Sequence, residues 1–333
     1  MIHIGIDTSN YKTSLAAVGD NGGILANISE YLDVPKGERG LRQSDSFFKH
    51  SNRLPELAEK LFSEINIEDI ATISASYAPR RVEGSYMPCF LAGVNMAKLG
   101  SQMLGARYYQ FSHQEGHAAA IMKTASDYSE KMVSDSSDEP AIFMHLSGGT
   151  TEFLICKSNE NGYDMKIVGG SLDISFGQLL DRFGVALGFH FPSGEYIDRL
   201  ASEHSSDVEC GIMPRIGLKE GYFNLSGAET RLLHFAKSNP ETKDIAAISR
   251  EIMQGISDLL IKSCDYLSEK YNINSIYMAG GVASSESLRQ IIKGRIKNGD
   301  YRIIFGDKAL SGDNAVGIAL LGREAYSKDR GLR

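Results

Sequence analysis

The sequence predicts an α/β protein of two related lobes facing a cleft, and three observations carry that expectation. At 333 residues the chain is long enough for two domains of typical size. A strand, a small polar or glycine-rich tip and a second strand occur at 2–18, and the same design recurs at 141–156. Segments with apolar residues at helical spacing follow each of these hairpins.

A hydrophobic share of 42% with 23% charged residues describes an ordinary globular chain and gives no sign of disorder at large. The formal charge of -7 argues against coating nucleic acid by bulk electrostatics, so such a partner would need a local basic patch or a helper protein. Cys89, Cys156, Cys210 and Cys264 are widely scattered. They read as reduced thiols of a cytosolic protein, not as a disulfide framework or a zinc ribbon. The N-terminus enters a strand pattern without a basic leader, and no stretch is long and apolar enough to span a bilayer, so the expected location is the cytoplasm with no membrane partner.

The first hairpin runs from Ile2-His3-Ile4-Gly5-Ile6 through Asp7-Thr8-Ser9-Asn10-Tyr11-Lys12 and back out to Val18. A glycine-broken basic loop at 35–43 precedes a helix expected over 44–65, with Lys49, His50 and Arg53 facing out as the best local basic patch. A solvated helix face explains such a patch as readily as a substrate does. Residues 73–76 read as a buried strand, 78–84 as a loop, and 90–104 as a helix that delivers the chain to His113-Gln114-Glu115-Gly116-His117.

Two imidazoles four residues apart stand on one helix face, a spacing that lets both reach one metal ion. The plain alternative is one exposed and one core histidine. A zinc peptidase also uses paired helical histidines, but its general base directly follows the first, where this chain has Gln114. Glu115 is displaced by a further residue, about 100° around the helix, so peptidase chemistry does not fit. A polar stretch at 124–140 then marks a surface insertion and a lobe boundary.

In the second hairpin the tip is Leu146-Ser147-Gly148-Gly149-Thr150, where glycines let the backbone approach an anion and aim N–H groups at phosphate oxygens. A helix over 176–187 carries Asp181, the break Pro192-Ser193-Gly194 follows, and a helix from Glu195 carries Asp198. Carboxylates beside glycine-rich breaks suit ribose hydroxyls or a hydrated metal, though they also serve as caps. The strand 276–279 runs through Gly280-Gly281 and Ser285 into a helix over 286–293, a usual nucleotide location. Asp313 opens the last helix, either as an N-cap or as a carboxylate completing the two-histidine site.

Taken together, Gly5-Ile6-Asp7-Thr8-Ser9, the His113–His117 motif, Ser147-Gly148-Gly149, Gly177 with Asp181, Pro192-Ser193-Gly194 with Asp198, Asn224-Leu225-Ser226-Gly227, Ala279-Gly280-Gly281-Val282-Ala283 and Asp313-Asn314-Ala315 resemble one family in their order. It is the family of catalytic subunits of tRNA threonylcarbamoyladenosine synthase, within the actin-like ATPase superfamily. The resemblance covers nearly the whole chain. It implies two actin-like, RNase H-like lobes with an interlobe cleft: 1–125 as the first, 126–140 as the insertion, and 141–333 as the second, its last helix able to pack back on the first.

The resemblance further implies iron or zinc at His113, His117 and Asp313, acting as a Lewis acid on the carbamoyl carbonyl of a threonylcarbamoyl adenylate. Leu146, Ser147, Gly148, Gly149, Thr150, Asp181, Gly194, Asp198, Gly280, Gly281 and Ser285 would line the adenylate site, with Ser9, Lys12 and Glu115 as candidate catalytic residues. The acceptor would be N6 of an adenosine beside the tRNA anticodon, reached with helper proteins such as an actin-like paralogue and a small ATPase. Where that family has a cysteine and two acids after Thr-Ser, this chain has Asn10, Tyr11 and Lys12. Lys12 reverses a charge beside the cleft. The alternatives are a non-catalytic nucleotide- and metal-binding paralogue, or a carbamoyl transferase with a different acceptor, and the adenylate bound could be another than threonylcarbamoyl adenylate.

Overall fold

β-branched and aromatic runs become strands and the amphipathic stretches become helices in a computed structural model that describes residues 1–9, 11–33, 41–124, 139–159, 162–204, 207–296, 301–312 and 314–331. In chain order the elements are β1 (Ile2–Asp7), β2 (Lys12–Gly19), β3 (Ile24–Tyr31), α1 (Gln43–Glu64), β4 (Ile70–Ala78), α2 (Phe90–Leu104), β5 (Arg107–Ser112) and α3 (His113–Thr124). There follow β6 (Ala141–Leu146), β7 (Thr151–Asn159), β8 (Gly162–Ser171), α4 (Phe176–Ala186), α5 (Gly194–Ala201), β9 (Tyr222–Phe223), α6 (Ser226–Ala236) and α7 (Thr242–Tyr271). The chain closes with β10 (Ser275–Ala279), α8 (Glu286–Arg295), β11 (Arg302–Phe305), α9 (Lys308–Ser311) and α10 (Val316–Asp329).

Two compact units emerge: Met1–Ser137 with Ser158–Tyr163 and Ala309–Arg333, and Asp138–Lys157 with Asp164–Lys308. The last helix therefore counts with the first unit. Glycine explains how it packs there, because a Cβ on Gly317 of α10 would run into the Gly116 carbonyl of α3. Only two glycines let these backbones come so close. Of the polar insertion expected at 126–140, residues 126–138 lie outside the described residues.

The sheet of the first unit has the order β3-β2-β1-β4-β5. β1 pairs antiparallel with β2 and parallel with β4, and β4 pairs parallel with β5. Ile2, Ile4 and Ile6 of β1 enter one core with Leu54, Leu57 and Leu61 of α1 and Ala92, Val94 and Ala97 of α2. His50 lies on that same α1 stripe, seven residues before Leu57, and is buried against Thr13 Oγ1 at 2.7 Å from its Nδ1. It does not face out as expected. Arg53 does reach the surface but is held by Glu30 and Glu56, so the expected basic patch is largely neutralised.

The second sheet repeats the design in the order β11-β10-β6-β7-β8-β9. Its hairpin β6–β7 is antiparallel, and on the other side of β6 come β10 and β11, both parallel. A three-strand meander beside two parallel strands thus occurs twice, the form of two related α/β lobes. Ile142, Met144 and Leu146 pack with Phe176, Phe183 and the long α7, whose Ile252, Met253, Ile256 and Leu260 are all fully buried. Among the described residues no helix is long and apolar enough to cross a membrane.

Candidate functional site

The histidine helix begins at a reciprocal cap. Ser112 N–H and Oγ–H donate to Glu115 Oε2 at 2.8 and 2.7 Å, while Glu115 N–H donates to Ser112 Oγ at 3.3 Å. The other oxygen of Glu115 accepts from Arg81 Nη2 at 2.9 Å and from the Tyr163 N–H at 3.2 Å. This buried carboxylate, a candidate catalytic residue in the sequence, is built into the helix start with both oxygens engaged.

One turn apart on α3, His113 and His117 bring their Nε2 atoms to 3.0 Å, with the rings edge to face at 74°. Behind His113, its Nδ1 lies 3.0 Å from Oδ1 of Asp7, the last residue of β1. Asp7 Oδ2 accepts the Ser9 hydroxyl at 2.5 Å. Burial opposes the charge of Asp7, but the adjacent His113 imidazole and its hydrogen bond, helped by Ser9, hold the carboxyl below its usual range.

Two imidazole nitrogens converging on one point, one ring backed by a carboxylate, are a donor set that fits a transition metal ion. The expected third ligand, Asp313, lies outside the described residues, and among those described no group of three His, Cys, Asp or Glu forms a complete metal set. The turn beside it is braced by Asn314, whose amide donates to the Leu310 and Gly312 carbonyls and accepts from the Val316 N–H. Lys12 pairs in register with Tyr31, and its Nζ sits 5.2 Å from the centre of the Tyr31 ring.

In the second unit the tip of β6–β7 is closed by the Ser147 N–H to the Thr150 carbonyl at 2.8 Å and by the Thr150 N–H to Ser147 Oγ at 3.1 Å. Gly148 and Gly149 stand at this tip with nothing within 4 Å of a Cβ position on either. The start of α4 docks on the same turn, as Ser175 Oγ donates to the Gly148 carbonyl at 2.7 Å and the Phe176 N–H to Thr151 Oγ1 at 2.9 Å. Gly280, at φ 107°, lets the end of β10 lie against the carbonyl of buried Leu146.

Asp181 Oδ1 accepts the N–H groups of Ser193 and Gly194 at 2.7 and 3.2 Å, which anchors the start of α5. Burial nevertheless raises its pKa above the usual carboxylate value. One turn along α5, Asp198 accepts from Ser285 Oγ at 2.6 Å, from the N–H groups of Glu286 and Ser287 at 2.9 and 3.0 Å, and from the Ser287 hydroxyl. Gly281, directly after Gly280, leads into a single 3-10 turn over Val282–Ser284 that ends at Ser285. The structure thus joins the glycine tip to Gly280, Asp181 to Gly194, and Asp198 to Ser285.

Two acidic residues with clear roles were not singled out from the sequence. Asp7, which backs His113, is one. The other is Glu251 of α7, buried, which accepts the four successive N–H groups of Cys210, Gly211, Ile212 and Met213 at 2.6–3.1 Å. Glu251 stands among other polar residues of α7, Arg250 and Gln254 included, so nothing in its local sequence marks it out.

Comparison with known proteins gives a consistent picture. The model of the family described as tRNA N6-adenosine threonylcarbamoyltransferase matches residues 25–320. A protein of that description from Thermotoga neapolitana is 28% identical over 326 residues, covering 96% of this chain and 93% of its own. Among solved structures, the activator of 2-hydroxyisocaproyl-CoA dehydratase from Clostridium difficile with bound ADPNP aligns at a TM-score of 0.52 and 15% identity, over 100% of this chain and 98% of that one. Full-length HypF in its phosphate- and nucleotide-bound form aligns at 0.59 and 12% identity, over 98% of this chain and 55% of that one. At such identities the structural matches speak for the fold alone.

Proposed function

Because the chain belongs to the tRNA N6-adenosine threonylcarbamoyltransferase family, we propose that it transfers a threonylcarbamoyl group from threonylcarbamoyl adenylate to N6 of the adenosine beside the tRNA anticodon. The observation that carries this reading is the facing pair His113 and His117, Nε2 to Nε2 at 3.0 Å, in a chain matched by the family model over 25–320. His113 and His117, together with Asp313, would hold one iron or zinc ion. When bound, such an ion supplies Lewis-acid polarisation of the carbamoyl carbonyl.

The remaining tasks fall to the chain itself. N–H groups at the open Gly148-Gly149 tip can meet the adenylate phosphate, since no Cβ stands between backbone and ligand. Leu146, Ser147 and Thr150 give that tip its shape, while Gly280, Gly281 and Ser285 continue the same site. Asp181 with Gly194, and Asp198 with Ser285, hold the segments that surround the nucleoside. Ser9 acts through Asp7, Lys12 sets the charge at the first hairpin, and Glu115 fixes the helix that presents both histidines. Delivery of the tRNA falls to helper proteins, an actin-like paralogue and a small ATPase among them, since the net charge of -7 offers RNA little general attraction. The cytoplasm is where such a substrate is met.

The test is to incubate purified protein with tRNA and threonylcarbamoyl adenylate, with and without those helpers, and to digest the tRNA to nucleosides for mass spectrometry. Threonylcarbamoyladenosine is the expected product. Its absence under every combination, with metal and adenine nucleotide still bound, would favour a non-catalytic paralogue.

A further inference from the structure

Asp7 is fully buried at the end of a central strand, yet it makes contacts that a merely structural acid would not need. A carboxylate can only accept hydrogen bonds, so the 3.0 Å contact from Oδ1 to His113 Nδ1 requires the proton to sit on Nδ1. When neutral, a ring so protonated presents the lone pair of Nε2, the atom that lies 3.0 Å from His117 Nε2.

The carboxylate is itself prevented from rotating. Its second oxygen takes the Ser9 hydroxyl at 2.5 Å and the Ser9 N–H at 3.4 Å, so each oxygen has a separate partner. The strand end is pinned as well, because the Thr8 hydroxyl donates to the Cys89 carbonyl at 3.1 Å and accepts the Gly93 N–H at 3.2 Å. Sheet, carboxylate and imidazole therefore form one chain of contacts that ends at the nitrogen facing His117.

We propose that Asp7, held by Ser9, is a positioning residue of the metal site: it keeps His113 in the Nδ1–H tautomer and aims Nε2 at the point shared with His117. The inference rests on the metal-dependent reading above. Carboxylates that hold ligating histidines in this way typically matter by about 10–100-fold in metal affinity. Asp7 would do so without touching the ion.

The experiment uses the full chain stripped of metal, with Co2+ as the probe, in wild type, Asp7→Asn and Asp7→Ala. The expected result is a Co2+ dissociation constant raised by about 10–100-fold in both variants, read from the visible absorption of the bound ion. Urea unfolding of the near-isosteric Asp7→Asn checks that the fold persists. In parallel, 15N-labelled histidine in metal-free wild type should show His113 protonated at Nδ1, and Asp7→Ala should lose that preference. Equal affinity for Co2+ in all three proteins, or a bare Nδ1 on wild-type His113, overturns the assignment. Failure of the wild type to bind Co2+ or Zn2+ counts instead against the metal reading, and the tautomer, measured without metal, still decides the role of Asp7.

Discussion

Glu115 and Ser112 clasp each other across the first turn of α3, and the same carboxylate reaches Arg81 and the Tyr163 N–H. Removing it would leave buried donors at the start of the histidine helix unsatisfied. We expect Glu115→Ala to cost about 2–3 kcal/mol, combining a lost cap with unpaired donors, and Glu115→Gln to cost less because the amide oxygen still accepts. Urea unfolding curves check the order. A Glu115→Gln variant of unchanged stability that had lost all transfer activity would assign the carboxylate a catalytic role as well.

Metal content is expected to follow the histidine pair. Purified protein should carry roughly one transition metal per chain, and either His113→Ala or His117→Ala should remove it, because a single imidazole cannot retain the ion against solvent. Elemental analysis is the measurement. Equal metal in the wild type and both variants would sink the site.

The open tip of the second hairpin allows an unusually clean test of nucleotide binding. Nothing lies within 4 Å of a Cβ at Gly149, so Gly149→Val should fold normally yet block close approach to phosphate. ATP, ADP or AMP should raise the melting temperature of the wild type and leave that of the variant unmoved. Gly280→Ala is the contrasting case, since its positive φ and the Leu146 carbonyl predict a lower melting temperature before any ligand is added.

Asp173 gives a pH dependence whose sign can be worked out. Burial pushes its pKa up, but the N–H groups of Leu225, Ser226 and Ile174 bind the charged form and hold the carboxyl well below the usual carboxylate range. A folded pKa below the unfolded value of about 3.9 means that its stabilisation is present above that pH and is lost as pH falls toward the folded value. Asp173→Asn should therefore be about 1 kcal/mol less stable at pH 7, the usual worth of such a cap at a helix start, and the gap should close below about pH 4. A gap independent of pH would show that the charge does not matter.

What could be read from the sequence was what local chemistry determines. Both hairpins were legible from strand alternation interrupted by small residues, and α2 from an apolar run ending at Gly105, which takes the left-handed cap conformation at φ 67°. The His113–His117 pair was legible because i, i+4 spacing is itself geometry. Asp7 lies 106 residues from His113, and Glu251 about 40 from the amides it binds, so no local pattern reveals either contact. The 30-residue α7 has no clear signature in the sequence because it is buried on several faces, including Arg250, Glu251 and Gln254, and so lacks a single apolar stripe. In sequence His50 reads as exposed because its partner, Thr13, lies 37 residues away on β2.

Lys12 separates the ordinary enzyme from a divergent one. The family resemblance implies an acid at this position, and here a lysine holds its charge over the Tyr31 ring at 5.2 Å, a contact worth about 0.5–1 kcal/mol at an exposed site. That hold is weak beside the effect of the charge itself. Were that charge to lie about 4 Å from the reacting group, it would contribute about 4 kcal/mol at an effective dielectric near 20, and each 1.36 kcal/mol on a barrier is about tenfold in rate. We therefore expect little unassisted transfer to tRNA by the wild type, an increase in Tyr11→Asp/Lys12→Glu, and no change in metal content or nucleotide binding in that variant. Tyr31→Ala, which frees the lysine but keeps its charge, should leave transfer low. The comparison is made with pure protein, tRNA and threonylcarbamoyl adenylate, scored by mass spectrometry of nucleosides. Robust unassisted transfer by the wild type, unchanged or reduced in the double substitution, would mean that the reversed charge is not what limits this protein.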